Sequence, residues 1–368
     1  MNATINARRV STMFLATVIG LVACGGGSSG STPTTSVPST VPETTTTVSP
    51  STLPETTTTT IPVPVMPLTG LPVVDEAAAV RPAIVAKIDN HPGARPQSGL
   101  NSADIVYEEN VEKWTRFAAV FHSTGSDPVG PLRSGRTQDI DLVTSLNKPL
   151  FLWSGGNASV TSAIGKSSLV NMSASAASNG GGFFRSADKK APHNLFSKTT
   201  NIWALDAGRG GTPPAQFEYR DPASPSVGTD VAGLKLTMDG SMRAAWQWNS
   251  QTGKFLRFHE TKVHEDADGS QVAFDNVVVI QCEYTTSSAD PRSPEAQTVG
   301  SGPAWVYSDG KVVEGTWNRP DNMSPWNLRD SAGKPIGLSP GRTWVELIRE
   351  GQAVVAPADV DFDDVAWP

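Results

Sequence analysis

Ala83-Ile84-Val85-Ala86-Lys87-Ile88 is an apolar run with a single lysine, and the turn-forming residues Asp89-Asn90-His91-Pro92-Gly93 end it. A short apolar run bounded by turn residues predicts a buried β-strand. Similar strands are predicted downstream at 105–107, 116–122 and 149–153, with helices at 135–146 and 157–164. Strands that alternate with helices predict an N-terminal domain of α/β type with a mixed sheet.

Hairpin patterns dominate the second half of the chain. Alternating residues at 246–248 and 254–258 flank a short polar turn, and Asp268-Gly269 and Asp309-Gly310 are further candidate turns. Short turns that contain glycine between alternating segments are typical of β-hairpins. The C-terminal domain is therefore predicted to be mainly β. We expect a folded head of the α+β class, carried on a disordered stalk.

Changes in composition indicate where the domains begin and end. A Gly- and Pro-rich loop separates the two patterns, and a Thr/Pro-rich segment precedes both. We expect a signal peptide at 1–23, a stalk at 24–66, an N-terminal domain at 67–207, a linker at 208–229, a C-terminal domain at 230–350 and a tail at 351–368.

The N-terminus resembles a lipoprotein signal. Arg8 and Arg9 precede an apolar stretch, residues 10–22, that is too short to anchor a chain across a bilayer. Small residues then lead into Cys24, as in a lipobox, where the cysteine thiol receives a diacylglycerol. Two acyl chains such as palmitate hold a protein firmly on a membrane. We expect lipid on Cys24 to hold the protein at the extracytoplasmic face of the cell membrane. The alternative is an ordinary signal peptide with an incidental cysteine.

The stalk is rich in Thr, Pro, Ser and Gly, and it contains an imperfect repeat at 39–47 and 51–60. Such a composition cannot bury enough apolar surface to offset the entropy of ordering, so the segment is predicted to be disordered or extended. It would then act as a spacer that lifts the head off the membrane.

Charge and cysteine content exclude several classes of function. The net charge is −7, and it becomes −9 once a signal containing two arginines and no acid is removed. No Lys/Arg-rich run with interleaved aromatics is present, so nucleic acid is not expected as a partner. Cys282 is the only cysteine besides Cys24 and ends an apolar run. We expect it to be a small buried side chain rather than a reactive thiol.

Several long and unusual motifs are spread across residues 67–348. They are Pro67-Leu68-Thr69-Gly70-Leu71-Pro72, Arg81-Pro82, Lys87-Ile88-Asp89-Asn90, Ala94-Arg95-Pro96-Gln97-Ser98-Gly99-Leu100, Ala103-Asp104-Ile105-Val106-Tyr107-Glu108-Glu109, Thr115-Arg116-Phe117, Leu132-Arg133-Ser134-Gly135-Arg136, Ala191-Pro192-His193-Asn194-Leu195, Asp275-Asn276-Val277, Gly315-Thr316-Trp317 and Leu338-Ser339-Pro340-Gly341-Arg342-Thr343-Trp344. Together they resemble the motifs of the YerB-like bacterial lipoproteins. The resemblance implies a two-part α+β head on a lipid anchor, and it implies no activity. The family typically separates its arginine pair by Ser-Ala, whereas Ser134-Gly135 stands here and adds backbone freedom.

Polar residues fall at the predicted strand ends and in nearby loops of the first domain. Ligands of open α/β sheets bind beyond the carboxyl ends of strands, and guanidinium groups suit carboxylates and phosphates. The alternative is that these residues order a long irregular segment. The candidate ligand-binding residues are Asp89, Asn90, Arg95, Glu108, Arg133, Arg136, His193 and Asn194.

Metal and cofactor sites are not predicted. His259 and His264 are five residues apart, one more than a zincin helix requires, and on a strand they would point apart. Asp266 and Asp268 resemble a calcium loop that lacks its final glutamate, so a hairpin turn is the better interpretation. No dinucleotide, P-loop or nucleophile-elbow motif occurs.

Two functions follow from these patterns. The first is a non-enzymatic module that binds a cell-wall polymer or an envelope protein. The alternative is a hydrolase acting on wall glycan or peptide that uses Asp89, Glu108 and His193, although the sequence does not identify the catalytic residues.

Overall fold

The structure, a computed structural model, describes residues 63–368. The predicted signal peptide, Cys24 and the predicted stalk as far as residue 62 lie outside this range. None of the helices within residues 63–368 is long and apolar enough to cross a membrane.

Short helices and many strands make up this part of the chain. The α-helices are α1 (Glu76–Val80), α2 (Gln138–Val143), α3 (Ala158–Lys166) and α4 (Thr199–Ala204). The first seven strands are β1 (Ile84–Asp89), β2 (Ile105–Asn110), β3 (Thr115–Phe121), β4 (Leu150–Trp153), β5 (Val170–Ser173), β6 (Phe184–Arg185) and β7 (Leu195–Phe196). The others are β8 (Thr229–Met238), β9 (Met242–Asn249), β10 (Lys254–His259), β11 (Lys262–Val263), β12 (Ala273–Phe274), β13 (Asn276–Gln281), β14 (Tyr284–Thr286), β15 (Pro294–Ala296), β16 (Gly300–Ser308), β17 (Lys311–Arg319), β18 (Asn327–Asp330), β19 (Thr343–Ile348) and β20 (Ala353–Pro357).

One large mixed sheet contains most of these strands. Its order is β11-β10-β9-β8-β17-β16-β13-β19-β2-β3-β1-β4-β5, with β12, β18 and β20 attached to β10, β17 and β8. The pairs β13–β19, β19–β2, β1–β4 and β4–β5 are parallel, and the other pairs in this order are antiparallel. The predicted α+β class, with a mixed sheet followed by a mainly β half, is confirmed.

The central strands are buried on both faces. In β1, Ile84 and Ile88 pack into one apolar cluster and Val85 into the other. In β19, Trp344 packs on the first side and Val345 on the second. A strand covered on both faces has no polar alternation, which is why these segments read as continuous apolar runs in the sequence.

A parallel strand pair joins the two halves of the chain. Strand β19 lies between β13 and β2, and Thr343 pairs with Ile105 at the start of this contact. The family-like motifs of the first and second halves therefore meet inside one sheet.

The predicted linker and tail both pack on the sheet. Phe217 is buried within the linker, and the backbone of Arg220 hydrogen-bonds to Leu338 at 2.9 Å. The tail supplies β20, which pairs antiparallel with β8.

Buried charges of the central strands are compensated by partners. Lys87 on β1 is fully buried, and its Nζ lies 2.6 Å from Oδ1 of Asp139 and also pairs with Glu109. Burial lowers the pKa of Lys87 to about 8. Removing Lys87 would leave the carboxylates of Glu109 and Asp139 without their shared cation in the core, which costs several kcal/mol.

His122 follows β3 with a fully buried ring. Its backbone N donates to Oδ2 of Asp104 at 2.5 Å, and its carbonyl accepts from Nε of Arg81 at 2.7 Å. Neither ring nitrogen has a hydrogen-bond partner among residues 63–368. Burial, and secondly the charge of Arg81, lower the pKa of His122 to about 4.

We predict that His122 makes the fold sensitive to acid. The unfolded chain binds a proton at this ring near pH 6.5, whereas the folded chain does so only near pH 4, so stability falls as the pH drops between these values. Between pH 7.5 and pH 5 the loss through His122 should be about 2 kcal/mol. Urea unfolding of the wild type and of His122→Phe at both pH values measures how much of the loss of stability depends on His122. The variant should lose less stability than the wild type, and an equal loss in both proteins would contradict the assignment.

Candidate functional site

A cleft of about 580 Å³ opens at the carboxyl end of β1, beside the loop that joins β2 to β3. We call it the arginine cleft. Its lining residues are Asp89, His91, Val111, Glu112, Lys113, Trp114, Thr115, Arg116, Arg133, Ser134, Arg136 and Arg292.

Backbone hydrogen bonds bring distant segments to this cleft. The backbone N of Arg133 donates to the carbonyl of Lys87 at 2.8 Å, so the segment with Arg133 lies alongside the last residues of β1. On the other side, the backbone N of Leu132 donates to the carbonyl of Leu195 at 2.6 Å. Arg133 and the segment around His193 are thereby placed at the end of β1.

The arginine cleft is positively charged in a protein that is acidic as a whole. Four arginines and one lysine line it, against the two carboxylates of Asp89 and Glu112, whereas the chain has a net charge of −7. Burial, and secondly the nearby Arg136, lower the pKa of Arg116 to about 10, so this guanidinium stays charged at neutral pH. Guanidinium groups held in this way suit carboxylates and phosphates.

Asp89 holds two predicted site residues together. Its Oδ2 lies 3.2 Å from Nε of Arg133 and 2.6 Å from Nδ1 of His193. The His193 ring stacks on His91 with 4.1 Å between the centroids. Burial, and secondly the His193 ring, lower the pKa of His91. One carboxylate thus orients an arginine and a stacked imidazole pair at the cleft.

Glu112 forms ion pairs with two arginines of the cleft. Its carboxylate pairs with Arg136, lies 3.5 Å from NH2 of Arg116 and accepts from Oγ of Ser293 at 2.9 Å. Burial alone would raise the pKa of Glu112, but the two arginines outweigh it and the pKa lies below its ordinary value. Glu112 is therefore an ionised partner of both arginines at neutral pH.

Asn90, Arg95 and Glu108 lie in a second cluster, outside the lining of the arginine cleft. Nε of Arg95 donates to Oδ1 of Asn90 at 3.2 Å, and Nδ2 of Asn90 donates to Oε1 of Glu108 at 3.2 Å. Glu108 is fully buried, and its Oε2 accepts from NH2 of Arg257 at 2.6 Å. We call Glu108, Arg257 and the residues bonded to them the buried network.

The protonation state of His264 follows from the buried network. Arginine can only donate hydrogen bonds, so Nδ1 of His264, 2.7 Å from NH1 of Arg257, is an acceptor. Nε2 of His264 then carries the proton and donates to Oε1 of Gln97 at 2.9 Å. Burial, and secondly Arg257, lower the pKa of His264 well below its ordinary value, which agrees with a neutral ring.

Glu346 completes the buried network. It pairs with Glu108 across the parallel contact of β19 and β2. Burial, and secondly Glu108, raise the pKa of Glu346 well above its ordinary value, and its Oε1 accepts from Nε1 of Trp246 at 2.8 Å. Burial beside Glu108 therefore favours the neutral form of Glu346, next to the ion pair of Glu108 and Arg257.

Asn194 orders its own loop. Its Oδ1 accepts from NH1 of Arg185 at 2.7 Å, and its Nδ2 donates to the carbonyl of Ser186 at 3.2 Å. It is nearly buried and does not line the arginine cleft.

The structure therefore divides the eight predicted site residues. Asp89, Arg133 and Arg136 line the arginine cleft, and His193 joins it through Asp89. That these residues bind a ligand stays a prediction. The cleft also contains residues that the sequence analysis did not select, namely His91, Val111, Glu112, Lys113, Trp114, Thr115, Arg116, Ser134 and Arg292. Their signal was weak: Arg116 stands in a family-like motif, and Glu112 and Trp114 occupy the loop between two predicted strands.

The prediction that His259 and His264 point apart was wrong. Their ring centroids are 4.1 Å apart. The chain reverses between them, with a φ of 56° at Glu260, and the β10–β11 hairpin returns His264 to the side of Arg257. Across residues 63–368, no group of three or more His, Cys, Asp or Glu side chains is arranged to hold a metal ion.

We predict that Arg257 stabilises the fold by neutralising Glu108. Arg257→Met leaves the buried carboxylate unpaired and should lower the free energy of unfolding by about 3–5 kcal/mol. Adding Glu108→Gln removes the charge and should restore part of the loss. Arg243→Met, on an exposed arginine of the neighbouring strand, is the control and should change stability by less than about 0.5 kcal/mol. Urea unfolding at pH 7.5 measures all three. Equal effects of the two arginine substitutions would refute the role of Arg257.

Comparison with known proteins gives concordant matches in sequence and structure. Residues 68–212 match the N-terminal domain, and residues 234–345 the C-terminal domain, of the family described as "Protein of unknown function (DUF3048)". The chain is 28% identical over 297 residues to "Putative lipoprotein YerB" of Bacillus subtilis (strain 168), a match that covers 77% of this chain and 85% of that protein. The crystal structure of YerB from Bacillus subtilis matches with a TM-score of 0.70 and 22% identity, over 79% of this chain and 99% of the YerB chain, so the two folds are the same. The chain therefore belongs to the YerB-like family, whose two domains carry no assigned function.

Proposed function

We propose that this protein is a lipid-anchored binding module of the cell envelope and that its arginine cleft binds a cell-wall component. The observation that carries the proposal is the excess of cationic side chains in one cleft of an acidic protein. A cleft with desolvated guanidinium groups gives an anionic ligand charge-assisted hydrogen bonds that water cannot match.

The environment of Glu108 favours binding over hydrolysis. A glycan hydrolase needs two carboxyl groups that reach the scissile bond. Glu108 is fully buried, bonded to Asn90 and Arg257, and outside the cleft lining, so it is not placed to protonate a ligand there. Asp89 is engaged with Arg133 and His193.

The anchor is supported by sequence. The lipobox-like segment ends at Cys24, and the relative from Bacillus subtilis carries the word lipoprotein in its name. An anchored head beyond a Thr/Pro-rich stalk would lie within reach of the wall, which is why a wall component is the proposed ligand.

We predict that Arg133 contributes to ligand binding. Arg133→Ala should weaken binding of the full-length protein to purified cell walls by about tenfold, because a charge-assisted hydrogen bond contributes about 1.5 kcal/mol or more. Co-sedimentation over a series of wall concentrations measures this, and added salt should weaken the wild type as well. Arg243→Ala removes an exposed arginine outside the cleft and is the matched control. If both variants bind like the wild type while all three remain folded, the arginine cleft is not the binding site. Release of soluble wall fragments during the incubation would instead indicate a hydrolase.

We predict that Cys24 attaches the protein to the membrane. Cys24→Ser should move the protein out of the membrane fraction and abolish incorporation of labelled palmitate, because the acyl chains supply the membrane affinity. The control is Cys282→Ser, which removes the other cysteine, a thiol whose pKa burial raises to about 12. That variant should keep both label and location. A Cys24→Ser protein that stays equally membrane-bound would rule out the lipid anchor.

A further inference from the structure

We infer that the ligand of the arginine cleft is an acidic sugar whose anionic group displaces the Glu112 carboxylate from Arg116 and Arg136 while its ring packs on Trp114. This inference rests on the proposed binding function and adds the ligand class and the way in which the cleft opens to it.

Glu112 occupies the position that a ligand acid would take. Its carboxylate contacts Arg136 and Arg116, and these are two of the four guanidinium groups that line the cleft. The Glu112 side chain is 32% exposed, whereas those of Arg116 and Arg136 are 9% and 11% exposed. A partly exposed carboxylate therefore covers two nearly buried cations.

The arginines are held independently of Glu112. NH1 of Arg116 donates to the carbonyl of Ser134 at 2.9 Å, and NH1 of Arg136 donates to the carbonyl of Gly135 at 3.0 Å. Nε of Arg136 is buried without a hydrogen-bond partner in the described part of the chain. If Glu112 moves away, these backbone hydrogen bonds still hold both guanidinium groups in place. The guanidinium of Arg136 then also has its Nε–H free to donate a hydrogen bond to a ligand. Exchange of one acid for another then requires little new desolvation of the two arginines, since their side chains are already nearly buried.

The loop that carries Glu112 also carries an exposed aromatic ring. Residues 111–114 form the turn between β2 and β3, closed by a hydrogen bond of 3.1 Å from the backbone N of Val111 to the carbonyl of Trp114. All ten tryptophans lie within residues 63–368, and Trp114 is the only one with an exposed side chain, at 36%. Its ring meets His91 edge-on at 5.3 Å. An amphipathic ring beside a cation cluster suits a ligand that has an apolar ring face and an acid group.

The test compares two sugars that differ in the acid group. N-acetylmuramic acid is N-acetylglucosamine with an added lactyl ether that bears a carboxylate. Isothermal titration of the full-length protein with each sugar should show binding of the acidic one and at least about tenfold weaker binding of the neutral one, because only the acid engages the arginines. Glucose 6-phosphate forms a third arm, which shows whether a phosphate also satisfies the cleft.

Glu112→Gln gives the decisive variant. It removes the competing charge and nearly preserves the shape, so affinity for N-acetylmuramic acid should rise by about tenfold. Glu260→Gln is the matched control, because Glu260 pairs with Arg243 at 3.4 Å on the exposed surface away from the cleft. Trp114→Ala should weaken the binding of N-acetylmuramic acid, and thermal unfolding verifies that each variant is folded.

The outcomes separate this inference from the proposed function. Tighter binding by Glu112→Gln, with no change for Glu260→Gln, supports displacement. Weaker or unchanged binding by Glu112→Gln overturns it, since Glu112 would then be a ligand contact or a bystander. Equal binding of the neutral and acidic sugars overturns the acidic-sugar assignment, although wall binding that depends on Arg133 would leave the proposed function standing. Failure of the full-length protein to bind either sugars or purified walls overturns both.

Discussion

The contact between β19 and β2 is the constraint on which the rest of the structure depends. It is a parallel pairing at the centre of a sheet that is buried on both faces, and it carries two glutamates opposite each other. Two adjacent buried carboxylates cannot both be charged without compensation. Arg257 supplies the compensation for Glu108, and burial raises the pKa of Glu346, which favours its neutral form. On the opposite face of β2, Glu109 pairs with Lys87. Compensated ionisable groups thus lie at the junction of the two halves of the chain.

The same constraint places the arginine cleft. Strand β1 carries Lys87 inside the sheet and Asp89 at its end. Lys87 pairs with buried carboxylates, and Asp89, two positions later, orients Arg133 and His193. Successive strand residues alternate between faces, and the turn after Asp89 then directs the chain to the cleft wall. The buried strands behind the site therefore fix its base, and the short turn with Glu112 and Trp114 forms its more exposed wall.

Local patterns predicted most of the elements. An apolar run predicted β1, and the Asp309-Gly310 turn predicted the β16–β17 hairpin. The predicted helix at 157–164 corresponds to α3, and Asn157 caps it by accepting from the backbone N of Val160 at 2.8 Å. Cys282 is buried as predicted. These features depend on residues that are close together in the chain, so the local sequence is enough to predict them.

Contacts between distant segments were beyond the sequence patterns. Glu108 looked like a strand-end ligand residue, but its partner Arg257 comes from the other half of the chain, and nothing in local spacing relates the two. His259 and His264 were predicted to point apart because both were placed on one continuous strand. The chain reverses at Glu260 instead, and this reversal brings the two rings together. Glu112 and Trp114 lie in a four-residue loop with no repeating pattern, and their importance is visible only once Arg136 is brought beside them.

The parallel partner of β2 also sets the order in which the molecule can mature. Thr343 pairs with Ile105, 238 positions earlier in the chain. A ribosome makes the N-terminal half first, and contacts of such high sequence separation close slowly because a long loop must be ordered. Until residues 343–348 emerge, the side of β2 that faces away from β3 presents an unsatisfied backbone edge. The central sheet of this architecture is therefore completed only when synthesis is nearly finished, because its middle strand lies close to the end of the chain.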